Sequence, residues 1–207
     1  MIRKLKRNIY SVEDSNVIFE TAWDIYPYIV KLIDNSERKV LDAGCGIGKL
    51  MDFLSREKIV YGIDFSEEAV KKAKKRGYKK VVKANLEKIP FPNNFFDIAV
   101  CIEVLQYVKN PLKIVKELKR VTKKRILITV PNHRWFHIKS ILSRNFSIRY
   151  KKILKNERKT DVNFIKELAY NSNLKISQTV YISRKFNNLR KLLGKYFASE
   201  IIAVLEK

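Results

Sequence analysis

Three glycines punctuate the stretch Val40-Leu41-Asp42-Ala43-Gly44-Cys45-Gly46-Ile47-Gly48, where a strand-like apolar run turns into a helix-like one. At the end of a strand in a parallel sheet, glycine lets the backbone approach a ligand with no Cβ in the way. The spacing is G-x-G-x-G. A dinucleotide loop asks for G-x-G-x-x-G, and Lys49 stands where its third glycine belongs; a phosphate-cradling loop needs a hydroxyl after its lysine, and Leu50 follows instead. Twenty-two residues beyond Asp42, at the end of the next strand-like run, Asp64 is placed to accept hydrogen bonds from a ribose diol. Taken singly, Asp64 is equally a helix cap and the glycines a tight turn. Together with Asp42 they point to a nucleoside site. Cys45 and Cys101 lack C-x-x-C or Cys/His ligand spacing, so no metal is expected.

The elements that must position this loop alternate along the chain. Lys39-Val40-Leu41-Asp42 reads as a strand and Leu50 to Arg56 as a helix with Leu50, Met51, Phe53 and Leu54 on its buried stripe. Ile59 to Ile63 is a second strand. Ser66 with Glu67 and Glu68 then supplies an N-cap and a first turn of acids for a helix running to Gly77. Lys80 to Ala84 and Phe96 to Cys101 are further strands, separated by the turn-forming Pro90-Phe91-Pro92-Asn93-Asn94. Leu112, Val115, Leu118 and Val121 recur at three-residue spacing in a helix that precedes the β-branched strand Arg125 to Val130. Beyond lie a helix from Asn163 to about Asn171, a strand near Leu174 to Ile182 and a last strand from Glu200 to Leu205. Such alternation implies an α/β fold: a Rossmann-like open sheet, mostly parallel with an antiparallel final strand, and helices on both faces.

With 207 residues and 46% apolar composition, the chain suits one domain rather than a disordered segment. We divide it into an N-terminal helical cover (1–36), a ligand-binding core (37–130), a basic aromatic cap (131–160) and a C-terminal helix and strands completing the sheet (161–207). In the cover, Phe19, Trp23, Tyr26, Ile29 and Val30 suit a packing helix interrupted at Pro27. No signal-peptide core or membrane-length apolar run is evident, and two cysteines make no disulfide framework, so a cytoplasmic setting is expected.

A net charge of +23 attracts polyanions without naming one. Runs such as Lys71-Lys72-Ala73-Lys74-Lys75-Arg76 are ordinary solvated helix faces. Residues 131–159 differ, mixing nine Lys or Arg and one acid with His133, Trp135, Phe136, His137, Phe146 and Tyr150. That mixture fits a lid over an anionic small molecule, an RNA contact or an anionic lipid surface.

The segment VLDAGCGIGKL, with Asp64-Phe65, Asn85-Leu86 and Ile89-Pro90-Phe91-Pro92-Asn93-Asn94-Phe95-Phe96-Asp97, resembles the class I S-adenosylmethionine-dependent methyltransferases, especially the small-molecule-type group. The motifs span residues 39–132, and element order extends the likeness more loosely. The resemblance implies S-adenosylmethionine as cofactor, with Asp42, Gly44 and Gly46 at its methionine portion, Asp64 at the ribose, Phe65 against the adenine and Asn85-Leu86 bordering that ring. Cys101 to Val108 resembles the segment whose backbone passes the methionine end, which places Cys101 at the cofactor. Its other reading is a small buried hydrophobe. Gln106-Tyr107 departs from the family's more usual acid-histidine pair.

Methyl transfer from an already activated sulfonium asks chiefly for alignment and exclusion of water, which fits the lack of an obvious carboxylate pair or Ser/His arrangement. The only histidines, His133 and His137, stand just past the fifth strand, and His133 is the candidate base. The expected acceptor is a small or lipid-like molecule. RNA reached through the basic cap, and a non-catalytic nucleoside-binding module, are the alternatives. No Asn/Asp-Pro-Pro-aromatic motif follows the fourth strand, so the resemblance does not extend to enzymes that methylate exocyclic amino groups of DNA bases.

Overall fold

The computed structural model describes residues 25–54, 57–134, 136, 158–182 and 199–207. Among the described residues the elements are ordered α1 (Tyr26–Leu32), β1 (Lys39–Ala43), α2 (Lys49–Leu54), β2 (Ile59–Asp64), α3 (Glu67–Lys75), β3 (Val81–Lys83), β4 (Phe96–Ile102), α4 (Pro111–Val121), β5 (Thr122–Pro131), α5 (Val162–Asn171), β6 (Lys175–Ile182) and β7 (Glu200–Glu206). The strands form one seven-stranded sheet in the order β3-β2-β1-β4-β5-β7-β6. β1 to β5 pair in parallel, and β7 runs antiparallel between β5 and β6.

Strand alternation sorts the core onto two faces. Leu41, Ala99, Cys101, Ile126 and Ile128 join Val115 and Leu118 of α4 and Ile165 and Leu168 of α5. Their neighbours Val40, Ile98, Val100 and Leu127 join Ile29 of α1, Leu50 and Met51 of α2, and Val70 of α3 on the other face. Helices therefore cover both faces, as the alternation of elements requires.

Local chemistry sets the boundaries. The Ser66 hydroxyl accepts from Ala69 N–H (3.2 Å) and caps α3, whose first turn carries Glu67 and Glu68 and whose last turn carries Lys72, Lys74 and Lys75. Asp161 caps α5 by accepting from Asn163 and Phe164 N–H. Pro27 lies in the first turn of α1, where its missing N–H costs no intrahelical bond, so it opens this helix; residues before 25 lie outside the described residues. β5 begins three residues earlier than its β-branched run suggests. Thr122, the C-cap of α4, is already extended and pairs with Phe96 ahead of a register shift.

Candidate functional site

A cavity of about 390 Å³ opens at the carboxyl ends of β1, β2 and β4, the edge at which ligands of open parallel sheets bind. Seven residues singled out in the sequence line it together: Asp42, Gly44, Gly46, Asp64, Phe65, Asn85 and Leu86.

The glycine loop is hung on β2. Gly44 and Cys45 N–H donate to the Ile63 carbonyl (2.7 and 2.9 Å), and Gly46 N–H donates to Asp64 Oδ2 (2.8 Å). Gly44 has φ +82°, and a Cβ there would lie 2.3 Å from Val104 Cγ2. A larger residue is excluded twice, by conformation and by space. Behind the loop, Arg76 donates to the Ile47 carbonyl (2.8 Å) and to both Asp52 oxygens (2.8 and 2.7 Å), while the Tyr78 hydroxyl also donates to Asp52. Tyr78 packs so closely under Gly48 that a Cβ would sit 2.7 Å from its ring. This clasp fixes the loop from the side away from the cavity.

Asp64 is held by two backbone donors, Gly46 N–H on one oxygen and Ser66 N–H on the other (both 2.8 Å). Burial raises its pKa, opposed by these donors and Phe65 N–H. Asp42 is 3% exposed and accepts no hydrogen bond among the described residues. Burial first, then the charge of Asp64, pushes its pKa up to about 8. A buried carboxylate facing a cavity without a partner is matched by a cation or a hydrogen-bond donor. Phe65 is 58% exposed, a large ring set at the rim. Asn85 uses its side-chain oxygen to accept from Glu87 N–H (2.9 Å), which turns the chain so that Leu86 faces inward.

Two of the expected residues lie outside the lining of this cavity. Cys101 does not line the cavity: it is fully buried, on the β4 face packed beneath α4, and burial pushes its thiol up. Ile102, Glu103 and Val104 form the wall at this point. His133 does not line it either. Thr160 N–H donates to His133 Nδ1 (3.1 Å), His133 N–H donates to the Thr160 carbonyl (3.0 Å) and burial lowers the imidazole pKa, so the ring ties residue 160 to the end of β5. His137 and most of the basic cap lie outside the described residues.

The sequence reading missed Tyr26 and Glu103. Tyr26, expected only to pack, stacks on Phe53 (5.5 Å between centroids) and also lines the cavity. Glu103 has φ +54°, unusual for a residue with a side chain. Its carboxylate accepts from Gln106 Nε2 (2.9 Å) and Thr129 Oγ1 (3.3 Å), and its N–H donates to Thr129 Oγ1 (3.0 Å). No grouping of His, Cys, Asp and Glu among the described residues suits a metal ion.

The family of methyltransferase domains matches residues 41–128. An uncharacterized protein of Methanocaldococcus jannaschii is 32% identical over 144 residues, 68% of each chain. The ubiquinone biosynthesis O-methyltransferase of Paraburkholderia phymatum is 32% identical over 121 residues, 53% of this chain and 52% of that one. Against several curated relatives the chain thus spans between half and two thirds of their length. A crystal structure of a methyltransferase from Thermotoga maritima, described as a possible histamine N-methyltransferase, superposes with TM-score 0.69 at 20% identity, covering 95% of this chain and 96% of that one. The chain belongs to the class I S-adenosylmethionine-dependent methyltransferases. The chemistry of the lining suits that cofactor: glycines where a backbone must come close, an acid, Asp64, whose oxygens are held by Gly46 and Ser66 N–H, and a buried Asp42 carboxyl with no hydrogen-bond partner among the described residues.

Proposed function

We propose that this protein transfers the methyl group of S-adenosylmethionine to a small or lipid-like acceptor. The observation that carries this reading is the convergence of seven separately chosen residues, from the ends of β1 and β2 and the turn after β3, on one cavity. When bound, the cofactor supplies a methyl group already activated on a sulfonium. The work of the chain is to bind, orient and keep water out. Asp64, its lone pairs fixed by Gly46 and Ser66 N–H, accepts from the ribose hydroxyls. Phe65 and Leu86 border the adenine. Gly44 and Gly46 let the backbone meet the methionine portion, with Asp42 beneath it. Tyr26, buried and stacked on Phe53 of α2, forms part of the cavity wall.

A small acceptor is favoured by relatives such as the ubiquinone biosynthesis enzyme. Two free, buried cysteines suit the expected cytoplasmic setting, and no described helix is long and apolar enough to cross a membrane. The test is calorimetric titration with S-adenosylhomocysteine, with NADH as control, on the wild type and Asp64→Ala. Saturable binding of the first ligand alone, weakened in the variant by about 1–3 kcal/mol, is expected. Absence of binding by a folded protein would sink the reading. Binding without turnover on any acceptor would favour a nucleoside-binding module, and turnover confined to RNA with steep salt dependence would favour the basic cap as the acceptor site.

A further inference from the structure

Between β3 and β4 the chain crosses from the edge of the sheet to the far side of β1, and residues 84–95 do so without a helix. A helical crossover satisfies most of its own backbone groups, whereas one without a helix must find partners elsewhere. Here they come from α4. Glu117 Oε2 accepts from Ile89 N–H (2.9 Å). Arg120 uses all five of its N–H groups: Nε and Nη2 donate to the two Glu117 oxygens (both 2.8 Å), Nη2 also donates to the Ile89 carbonyl (2.9 Å), and Nη1 donates to the Phe91 carbonyl (2.9 Å) and to Asn93 Oδ1 (3.0 Å). The Arg120 carbonyl accepts from Asn94 N–H (2.9 Å). A planar fork locked on a carboxylate thus holds Ile89, Phe91 and Asn93 in one arrangement.

The pinned segment carries a wall of the cavity. Asn85, Leu86 and Glu87 line the space, and Leu86 and Ile89 belong to the core cluster that includes Val115 and Leu118 of α4. This wall hangs between two anchors. On the β2 side, Ala84 N–H donates to the Asp64 carbonyl (3.0 Å); on the α4 side, Ile89 is held through both its N–H and its carbonyl by Glu117 and Arg120. Midway, Glu87 meets Lys113 (3.2 Å) and Asn110 Nδ2 (3.4 Å) at the surface, contacts that contribute little. Neither Glu117 nor Arg120 lines the cavity. Their effect on a ligand therefore passes through the wall.

We propose that Arg120 is the positioning residue of the adenine wall, setting cofactor affinity through residues 85–89 without touching the cofactor. This inference rests on the methyl-transfer reading of the cavity, which puts the adenine against Leu86. A wall ordered before the ligand arrives costs the complex no ordering entropy, while an unpinned wall must be ordered by the ligand and lowers its affinity. Lysine would supply the charge but not the fork, so it would not hold Glu117, Ile89 and Phe91 together.

The test uses the full chain and S-adenosylhomocysteine, with calorimetry at a temperature where each variant is fully folded, so that lowered stability by itself leaves the affinity unmoved. Arg120→Met, which keeps the aliphatic stem, and Arg120→Lys should both bind about tenfold more weakly than the wild type. Lys71→Met removes an ion pair with Glu67 on α3 (2.9 Å) that does not reach the wall, and affinity there should stay within about twofold. Hydrogen exchange locates the effect: the amides of residues 86–91 should exchange about tenfold faster or more in both Arg120 variants, while those of β1 and β4 keep wild-type rates. If neither Arg120 variant folds, Glu117→Gln takes their place, with affinity lowered about threefold and the same local pattern of exchange. Wild-type affinity in Arg120→Lys or in Glu117→Gln, weaker binding with unchanged exchange at 86–91, or faster exchange that spreads to β1 and β4 would each overturn the proposal. A wild type that fails to bind S-adenosylhomocysteine would instead overturn the underlying reading.

Discussion

The two halves of the sheet end in opposite ways. Past β1 and β4 the chain turns through left-handed positions at Gly44, Gly46, Gly48 and Glu103, and carboxylates face a cavity. Past β5 and β6 and into β7 the backbone is stitched shut. Asn132 N–H donates to the Ser199 carbonyl (2.8 Å), Ser199 N–H to the Ile182 carbonyl (2.7 Å), and the Thr160 hydroxyl to the Pro131 carbonyl (2.7 Å). The same type of sheet edge is thus built for a ligand on one side and for closure on the other. Left-handed backbone and buried carboxyl groups gather at the open edge, and backbone hydrogen bonds at the closed one.

The sharpest way to break this contrast is at Gly44. In Gly44→Val a branched side chain must occupy a left-handed position and meet Val104, which a Cβ alone already approaches to 2.3 Å. Binding of S-adenosylhomocysteine should fall by about 3 kcal/mol or more, read by calorimetry. The thermal midpoint should fall less, because the loop lies at the sheet's rim and both core faces stay packed. Retained affinity would mean that the loop is a turn and not a ligand cradle.

Much of the ligand half was legible because its chemistry restricts residue types. Only glycine tolerates the approach at Gly44, Ser66 caps α3 as its sequence signature suggests, and the alternation of strands and helices settles the sheet type before any coordinate. Facing within β4 was not legible. Phe96 and Ile98 to Cys101 are all buried, so alternation has no polar phase to reveal that Cys101 lies on the α4 face, away from the cavity. Glu103 was hidden for another reason: nothing in its neighbours' types announces a left-handed φ. Strand order beyond β5 was also unreadable, since β7 enters between β5 and β6 through long-range pairing alone.

A smaller effect, of opposite sign for stability and binding, is expected at Asp42. Its carboxyl pKa in the folded protein is about 8, above the ordinary carboxylate range. The empty folded protein therefore holds a proton that the unfolded chain has released above pH ~4. Stability from this group is present at low pH and is lost as pH rises towards 8. Asp42→Asn should flatten that slope and raise stability near pH 8 by about 2 kcal/mol or more, while weakening cofactor binding. Chemical denaturation of both proteins across this pH range checks it. A variant less stable than the wild type at pH 8 would show that Asp42 is matched in the empty site.

The smallest effect belongs to the closed half. Thr160 is 1% exposed, and its hydroxyl satisfies the Pro131 carbonyl beside the His133 ring. Thr160→Val keeps the shape and leaves that carbonyl without its donor, so stability should fall by about 1 kcal/mol. Residues remote from the cavity with no shared partner should leave affinity for S-adenosylhomocysteine within about twofold. His133, bridged to Thr160 through backbone and ring nitrogen, should follow the same rule: His133→Gln lowers the thermal midpoint and spares turnover. A collapse of turnover in that variant, with fold and cofactor affinity intact, would return His133 to the reaction and place the acceptor over β5. Stability loss alone separates an edge that binds from an edge that closes.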